Sequence, residues 1–251
     1  MRAIDIEYFL GSGVRALYQP RETERLSPYG FAFNYRTPCN CTTFVLIINY
    51  MEELVMHLIE LDVLRSSHII KAFRSTDRKD FVLSEYQEEA YEDYPLPIGH
   101  GQTISQPYTV AFMLELLQPW EGEKILDVGS GSGWTTALLA QIVGSKGCVY
   151  GMEIIPELVT FGQNNIAKYQ FPHAQILHAG KEFGLPAKAP FDKILTSAAA
   201  DTLPQELIRQ LAMGGTLVIP VRDEILQVRK ISETKTDVQK FPGFVFVPLI
   251  E

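Results

Sequence analysis

Residues 124–133 read KILDVGSGSG, and this stretch constrains the fold more than any other. Ile125, Leu126 and Val128 around Asp127 have the apolar density of a buried strand, and Gly129, Gly131 and Gly133 follow at alternate positions. Glycine directly behind a strand permits a tight bend and a close approach of ligand to backbone. The helix predicted next, TTALLAQIV (135–143), begins with N–H groups that lack intrahelical partners and point at that bend. From 124 onward apolar strands alternate with amphipathic helices: CVYGME, PELVTFGQNNIAKY, AQILHA, FDKILTSAA, LPQELIRQL and GTLVIPV. The rhythm predicts an α/β domain with a doubly wound, mostly parallel sheet. At the end, ILQVRKIS (225–232) and FVFVPLI (244–250) have no helix between them and predict an antiparallel hairpin closing the sheet.

The glycine spacing separates possible ligands. A dinucleotide loop follows Gly-x-Gly-x-x-Gly, whereas here the third glycine comes one place early, which disfavours a nicotinamide dehydrogenase. Asp127 at the strand end would also repel a pyrophosphate. A cationic, phosphate-free ligand tolerates it, and S-adenosyl-L-methionine is one: a sulfonium, an ammonium and a carboxylate attached to adenosine. The next strand ends at Glu153, 24 residues beyond Gly129, where a carboxylate can accept both ribose hydroxyl protons. Asp127, Gly129, Ser130, Gly131, Gly133 and Glu153 are therefore the expected cofactor-binding residues.

Composition narrows the rest. Of 251 residues, 46% are hydrophobic, enough for a substantial core. The formal charge of −8, without a Lys/Arg cluster, argues against a sequence-independent grip on nucleic acid. No stretch approaches the roughly 18–20 apolar residues of a membrane span; TFVLIINY (43–50) is too short and lacks the flanks of a signal peptide. A cytoplasmic monomer is expected. Cys39, Cys41 and Cys148 have neither the partners of a zinc site nor the number of a disulfide framework. Residues 1–50 carry five Arg, no Lys and four acids, with turn residues but no sustained periodicity. The expectation is a disordered or loosely packed extension, or synthesis starting at Met51. Beyond Met51, Leu54, Val55, Leu58 and Ile59, then Ile69, Ile70 and Phe73, recur at helical spacing, with Ser66 and Ser67 placed to cap the second helix. The expected domain spans 51–251, with a helical and substrate-loop part at 51–123 and a cofactor-binding sheet at 124–251.

STDRKDFV (75–82), LPIGHGQTISQPYTVAFMLELL (96–117), ILDVGSGSGWTTALLA (125–140), APFDKILTSAAA (189–200), LPQELIRQLAMGGTLVIPV (203–221) and FVFVPL (244–249) carry a family resemblance. Residues 51–251 resemble the protein-L-isoaspartate O-methyltransferases along essentially their whole length. GQTISQP is the most specific stretch, since general methyltransferases lack it. The resemblance implies a seven-stranded, Rossmann-like methyltransferase sheet with an antiparallel last strand. It implies Ser105 as the active-site serine, with Thr103, Ile104 and His100 in the substrate loop. It also implies methyl transfer from S-adenosyl-L-methionine, leaving S-adenosyl-L-homocysteine, to the α-carboxylate of L-isoaspartyl, and also D-aspartyl, residues in damaged peptides and proteins. The chain departs from the family at LHAGKEFGLP (177–186). Where the family shows Gly-Asp-Gly, with the aspartate on the adenine amino group, Ala179 and Gly180 stand. His178, a backbone carbonyl, Lys181 or Glu182 can take over that hydrogen bond.

A carboxylate nucleophile is ionised at neutral pH, so no general base is needed and the protein's task is alignment. Ser105 can donate a hydrogen bond that aims one carboxylate oxygen; as a lone hydroxyl it would equally serve a turn. His100 reads more readily as a surface residue than as a catalyst. Asp77 and Arg78 read as bracing for the segment toward Phe81, Trp134 as packing, and Asp201 and Thr202 as candidates for the cleft wall. Two rival functions stay open: methyl transfer to another acceptor, and a cofactor-binding homologue without turnover, at which the missing aspartate hints.

Overall fold

The computed structural model describes residues 50–249; the expectations for the extension before Tyr50 lie outside the described residues. Two helices, α1 (Tyr50–Glu60) and α2 (Ser67–Ser75), lead to a short antiparallel hairpin of β1 (Leu96–Gly99) and β2 (Gln102–Ile104). Then come α3 (Pro107–Leu117), β3 (Lys124–Val128), α4 (Trp134–Val143), β4 (Cys148–Glu153), α5 (Pro156–Ala167) and β5 (Ala174–His178). The chain finishes with β6 (Phe191–Thr196), α6 (Gln205–Gln210), β7 (Leu211–Val221), β8 (Glu224–Ser232) and β9 (Lys235–Pro242). Proline opens α3 and α5, where its missing N–H costs no helical bond.

The seven-stranded sheet has the order β5-β4-β3-β6-β7-β8-β9. Its first five strands are parallel, β8 runs against β7, and β9 against β8. Central strand β3 is apolar on both faces because helices cover both. Ile125 joins a core with α1 to α5, whereas Leu126 and Val128 join a second core with α6. Chain order reverses between β3 and β6, and ligands of such sheets bind at the carboxyl ends beside that reversal.

Two local expectations need correction. Ser66 is the N-cap of α2 by position but makes no side-chain cap bond. Its hydroxyl donates instead to Glu115 Oε2 at 2.7 Å, while Glu115 Oε1 accepts from the amides of Arg65 and Ser66, so a carboxylate from α3 outcompetes the local cap. The closing hairpin also has a different second strand. β8 matches ILQVRKIS, but it pairs with the polar segment Lys235–Pro242 across a turn at Glu233 and Thr234. β9 is an exposed edge strand, and such strands carry charge rather than an apolar pattern. The apolar run from Phe244 leaves the sheet; it bridges Ala199 through Ala199 N–H to Val247 O and Leu249 N–H to Ala199 O.

The glycine loop tolerates no side chain at its end. Gly133 has φ +90°, and a Cβ there would lie 2.9 Å from Ile176 Cδ1 and 3.2 Å from Gly162 O. Gly133→Ala is expected to cost roughly 2–4 kcal/mol, combining left-handed strain with overpacking, as measured by urea unfolding. A loss under 1 kcal/mol would mean that the turn relaxes freely.

Candidate active site

A cavity of about 1030 Å³ opens at the carboxyl ends of β3, β4 and β6, at the upper end of the roughly 300–1,000 Å³ usual for ligand pockets. Gly129, Ser130, Gly131 and Glu153 line one side; Gln102, Thr103, Ile104 and Ser105 of the hairpin and its exit line another. Ala179 and Gly180 lie on the wall after β5. The cavity thus brings together most residues singled out from the sequence.

The loop's amides are spent internally. Gly129 and Ser130 both donate to Met152 O, at 2.8 and 3.0 Å, and Gly133 donates to Ser130 O at 2.8 Å. Gly131 donates to Glu153 Oε2 at 2.9 Å, and Glu153 Oε1 accepts from Ile155 N–H at 3.0 Å. A nest of amides aimed at a phosphate is therefore not what this loop offers, which agrees with a phosphate-free ligand. Glu153 remains on the cavity wall, and each carboxylate oxygen has a second lone pair for a ligand hydroxyl.

Asp127, Gly133 and His100 are corrected in position: none of them lines the cavity. Along β3 side chains alternate between faces, and Asp127 points under the loop, fully buried. Its Oδ2 accepts from Thr135 Oγ1 at 2.8 Å and Thr136 Oγ1 at 2.6 Å, pinning the first turn of α4. Gly133 is packed beneath the loop against α5. His100 occupies the exposed β1–β2 turn at φ +54°, where a bend rather than a catalyst is required. Among the stand-ins for the absent aspartate, Lys181 and Glu182 line the cavity and His178 does not. Thr202 lines it and Asp201 does not, one residue of offset.

Trp134 packs as expected, and Asp77 caps the turn before Phe81 by accepting from Lys79 N–H; Arg78 is buried too, but it braces carbonyls between Ala90 and Ser105 rather than the segment toward Phe81. The cavity has further walls that sequence reasoning missed: Phe183, Ser197, Ala198 and the stretch Val247–Leu249. The rule that ligands sit at strand ends beside the chain reversal could have found Ser197 and Ala198, which follow β6 directly. Val247–Leu249 carries only an apolar pattern, indistinguishable from a strand.

The family model for protein-L-isoaspartate(D-aspartate) O-methyltransferase matches residues 49–251. The chain belongs to that family. It is 41% identical over 204 residues to the protein-L-isoaspartate O-methyltransferase of Methanopyrus kandleri, covering 79% of this chain and 90% of that one. Against the Aeropyrum pernix protein of the same name the figure is 44% over 190 residues, covering 74% and 73%. A solved Plasmodium falciparum structure, assigned as a protein-L-isoaspartate O-methyltransferase in complex with S-adenosyl-L-homocysteine, has a TM-score of 0.72 and 25% identity. It covers 81% of this chain and 99% of that one.

The residues present fit such a cofactor. The internally satisfied glycine loop, the Glu153 carboxylate on the wall, and Gly180, where even a Cβ would meet nothing within 4 Å, leave space and an acceptor for an adenosyl group.

Burial pushes the Asp127 carboxyl up to about 6, reinforced by the nearby charge of Glu153 and opposed by the two threonine hydroxyls. A raised folded value means that the folded state holds the proton more tightly than the unfolded chain. The resulting stability is complete below about pH 4 and is lost as pH rises through about 6. Relative to Asp127→Asn, the wild type should therefore lose roughly 3 kcal/mol across that window, read from urea unfolding at several pH values. A stability gap that stays constant from pH 4 to 7 would contradict this.

Proposed function

We propose that the cavity holds S-adenosyl-L-methionine with Glu153 on its ribose and that Ser105 orients the substrate carboxylate. The observation that carries this reading is the placement of Ser105, Glu153 and the glycine loop around one cavity in a member of this family. The protein is an S-adenosyl-L-methionine-dependent protein-L-isoaspartate O-methyltransferase, and its reaction methylates the α-carboxylate of isoaspartyl residues to begin repair of damaged protein. The bound cofactor supplies an electrophilic methyl group on a sulfonium.

The chain's own residues do the rest by holding and excluding. Ser105, with Thr103 and Ile104 leading into it, lines the cavity just beyond the end of β2. A hydrogen bond donated from its hydroxyl fixes one carboxylate oxygen as the attacking atom without removing a proton. Ile98, Ile104 and Val110 beside it keep that end apolar, which favours a reaction in which opposite charges neutralise. Ala179 and Gly180 would flank the adenine, and the Glu182 carboxylate on the same wall would accept from its amino group in place of the aspartate of the family pattern, which the donor-only ammonium of Lys181 cannot do. Isoaspartyl-containing peptides and proteins are the partners. We place the enzyme in the cytoplasm as a monomer that binds neither nucleic acid nor membrane, with 51–251 as its catalytic unit. Among the described residues no helix is long and apolar enough to cross a membrane.

The reading is tested by methylation of an isoaspartyl peptide against the matched aspartyl peptide, with turnover expected only on the first. Ser105→Ala should lower kcat by about 100-fold while cofactor affinity holds, because the bond serves alignment in the transition state. Full kcat in that variant would leave Ser105 as a turn residue. Glu153→Gln should weaken cofactor binding by about 1–3 kcal/mol in calorimetry, and unchanged affinity would remove Glu153 from the ribose. The rate should be flat from about pH 6.5 to 8, since a carboxylate nucleophile is ionised throughout. A steep rise across that range would demand a general base.

A further inference from the structure

Arg78 is fully buried, yet all four of its hydrogen bonds go to backbone carbonyls. Nη1 donates to Ala90 O at 2.9 Å and Glu92 O at 3.0 Å; Nη2 donates to Tyr94 O at 2.9 Å and Ser105 O at 3.1 Å. The guanidinium also lies over the Trp134 ring, with Cζ 5.4 Å from its centroid. Burial lowers the Arg78 pKa to about 10, so the group stays charged at neutral pH.

Ser105 needs such a holder. It lies between β2 and α3, and among the described residues β2 pairs only with β1, in a two-stranded hairpin whose register slips between Pro97 and Gly99. A two-stranded ribbon is marginal by itself, and the hairpin is not hydrogen-bonded into the seven-stranded sheet that carries the cofactor loop. Trp134 follows Gly133 as the first residue of α4 and lines the cavity. The guanidinium therefore touches the main chain of the serine on one side and the aromatic that opens α4 on the other. Its planar fork holds carbonyls at fixed angles, which an ammonium cannot reproduce.

We propose that Arg78 is a positioning residue for methyl transfer, setting the place of Ser105 relative to the cofactor loop through the Ser105 carbonyl and Trp134. This rests on the reading of Ser105 as the group that orients the substrate carboxylate. A misplacement of about 1 Å can cost on the order of 100-fold in rate, so loss of the fork appears in kcat.

Arg78→Lys and Arg78→Gln test it, each assayed on an isoaspartyl peptide per folded molecule, with the folded fraction fixed by thermal unfolding. The expected result is a kcat at least about tenfold lower, with calorimetric cofactor affinity and peptide KM within about threefold of wild type. In a Ser105→Ala background the same substitutions should cost less than about threefold more, because residues acting as a unit are non-additive. Unchanged kcat per folded molecule, or the same fold-loss in both backgrounds, would overturn the proposal and leave Arg78 a stabilising residue only. If Ser105→Ala keeps wild-type kcat, the serine reading fails and takes this inference with it; if Ser105→Ala loses rate while both Arg78 variants keep it, this inference alone fails. Should neither variant fold, the ¹⁵N resonances of the wild-type Arg78 guanidinium are followed with S-adenosyl-L-homocysteine present. A shift on adding isoaspartyl peptide is expected, and resonances that stay in place would overturn the proposal.

Discussion

The folding-back of the Gly129–Gly133 loop onto the end of β4 is the constraint on which the rest depends. One carbonyl, Met152 O, accepts two loop amides, and the adjacent carboxylate of Glu153 accepts a third. The position of the loop and the position of Glu153 are thus one variable. The approach is close enough to exclude side chains. A Cβ on Gly151 would lie 2.9 Å from Thr136 Oγ1, and one on Gly162 would lie 2.9 Å from Gly131 O. Asn165 adds a bond from α5 to Ser132 O, and Asp127 ties down the start of α4. Glycine here serves packing density at the loop as much as ligand approach. That is why four of the loop's amides are already satisfied within the protein.

The substrate side is built by other means. No strand of the main sheet supplies Ser105; it is held by side chains that reach backbone. Asp93 accepts from Tyr108 N–H at the start of α3, Gln106 donates to Asp93 O, and Arg78 gathers four carbonyls. Across the cavity, Val247–Leu249 lies along Ala199 through backbone bonds, with Leu249 packed against the second core. Backbone anchoring of this kind leaves the side chains of Ser105 and Thr103 on the cavity wall, while Ile104 is buried in the core and fixes the hairpin from below.

This division explains what could be read from the sequence. β3, α4, β4 and α5 are legible because strand and helix periods, proline at helix starts and the glycine run all agree locally, and the site residues Gly129, Gly131 and Glu153 come with them. The positions that escape are set by partners distant in sequence. Ser66 turns to Glu115 rather than to its own helix, and Asp127 lies under the loop because of the strand's alternation. Arg78 owes its role to carbonyls from 90 to 105 that fold around it. β9 escapes for another reason: an edge strand has no need of apolar residues, so the apolar run beyond it draws the eye. His100 marks the limit of motif reading. It lies inside the most specific stretch of the chain, and its backbone conformation, not its imidazole, is what the turn uses.

Electrostatics connects the two sides. Asp127 and Glu153 place two carboxylates at the loop, one buried beneath it and one on the cavity wall, and burial makes the first costly to ionise. A cationic ligand lowers that cost, whereas an anionic one raises it, so the loop selects by charge before any hydrogen bond is counted. The serine end carries no comparable charge among the cavity-lining residues of β1 and β2; Ile98 and Ile104 are buried there. A carboxylate entering from that end gives up water and gains its compensation from the cation, and that compensation grows as the two approach within an apolar enclosure. On the reading proposed above, the gradient from acid-lined to apolar would bring nucleophile and cation together, leaving the hydroxyl of Ser105 only direction to supply.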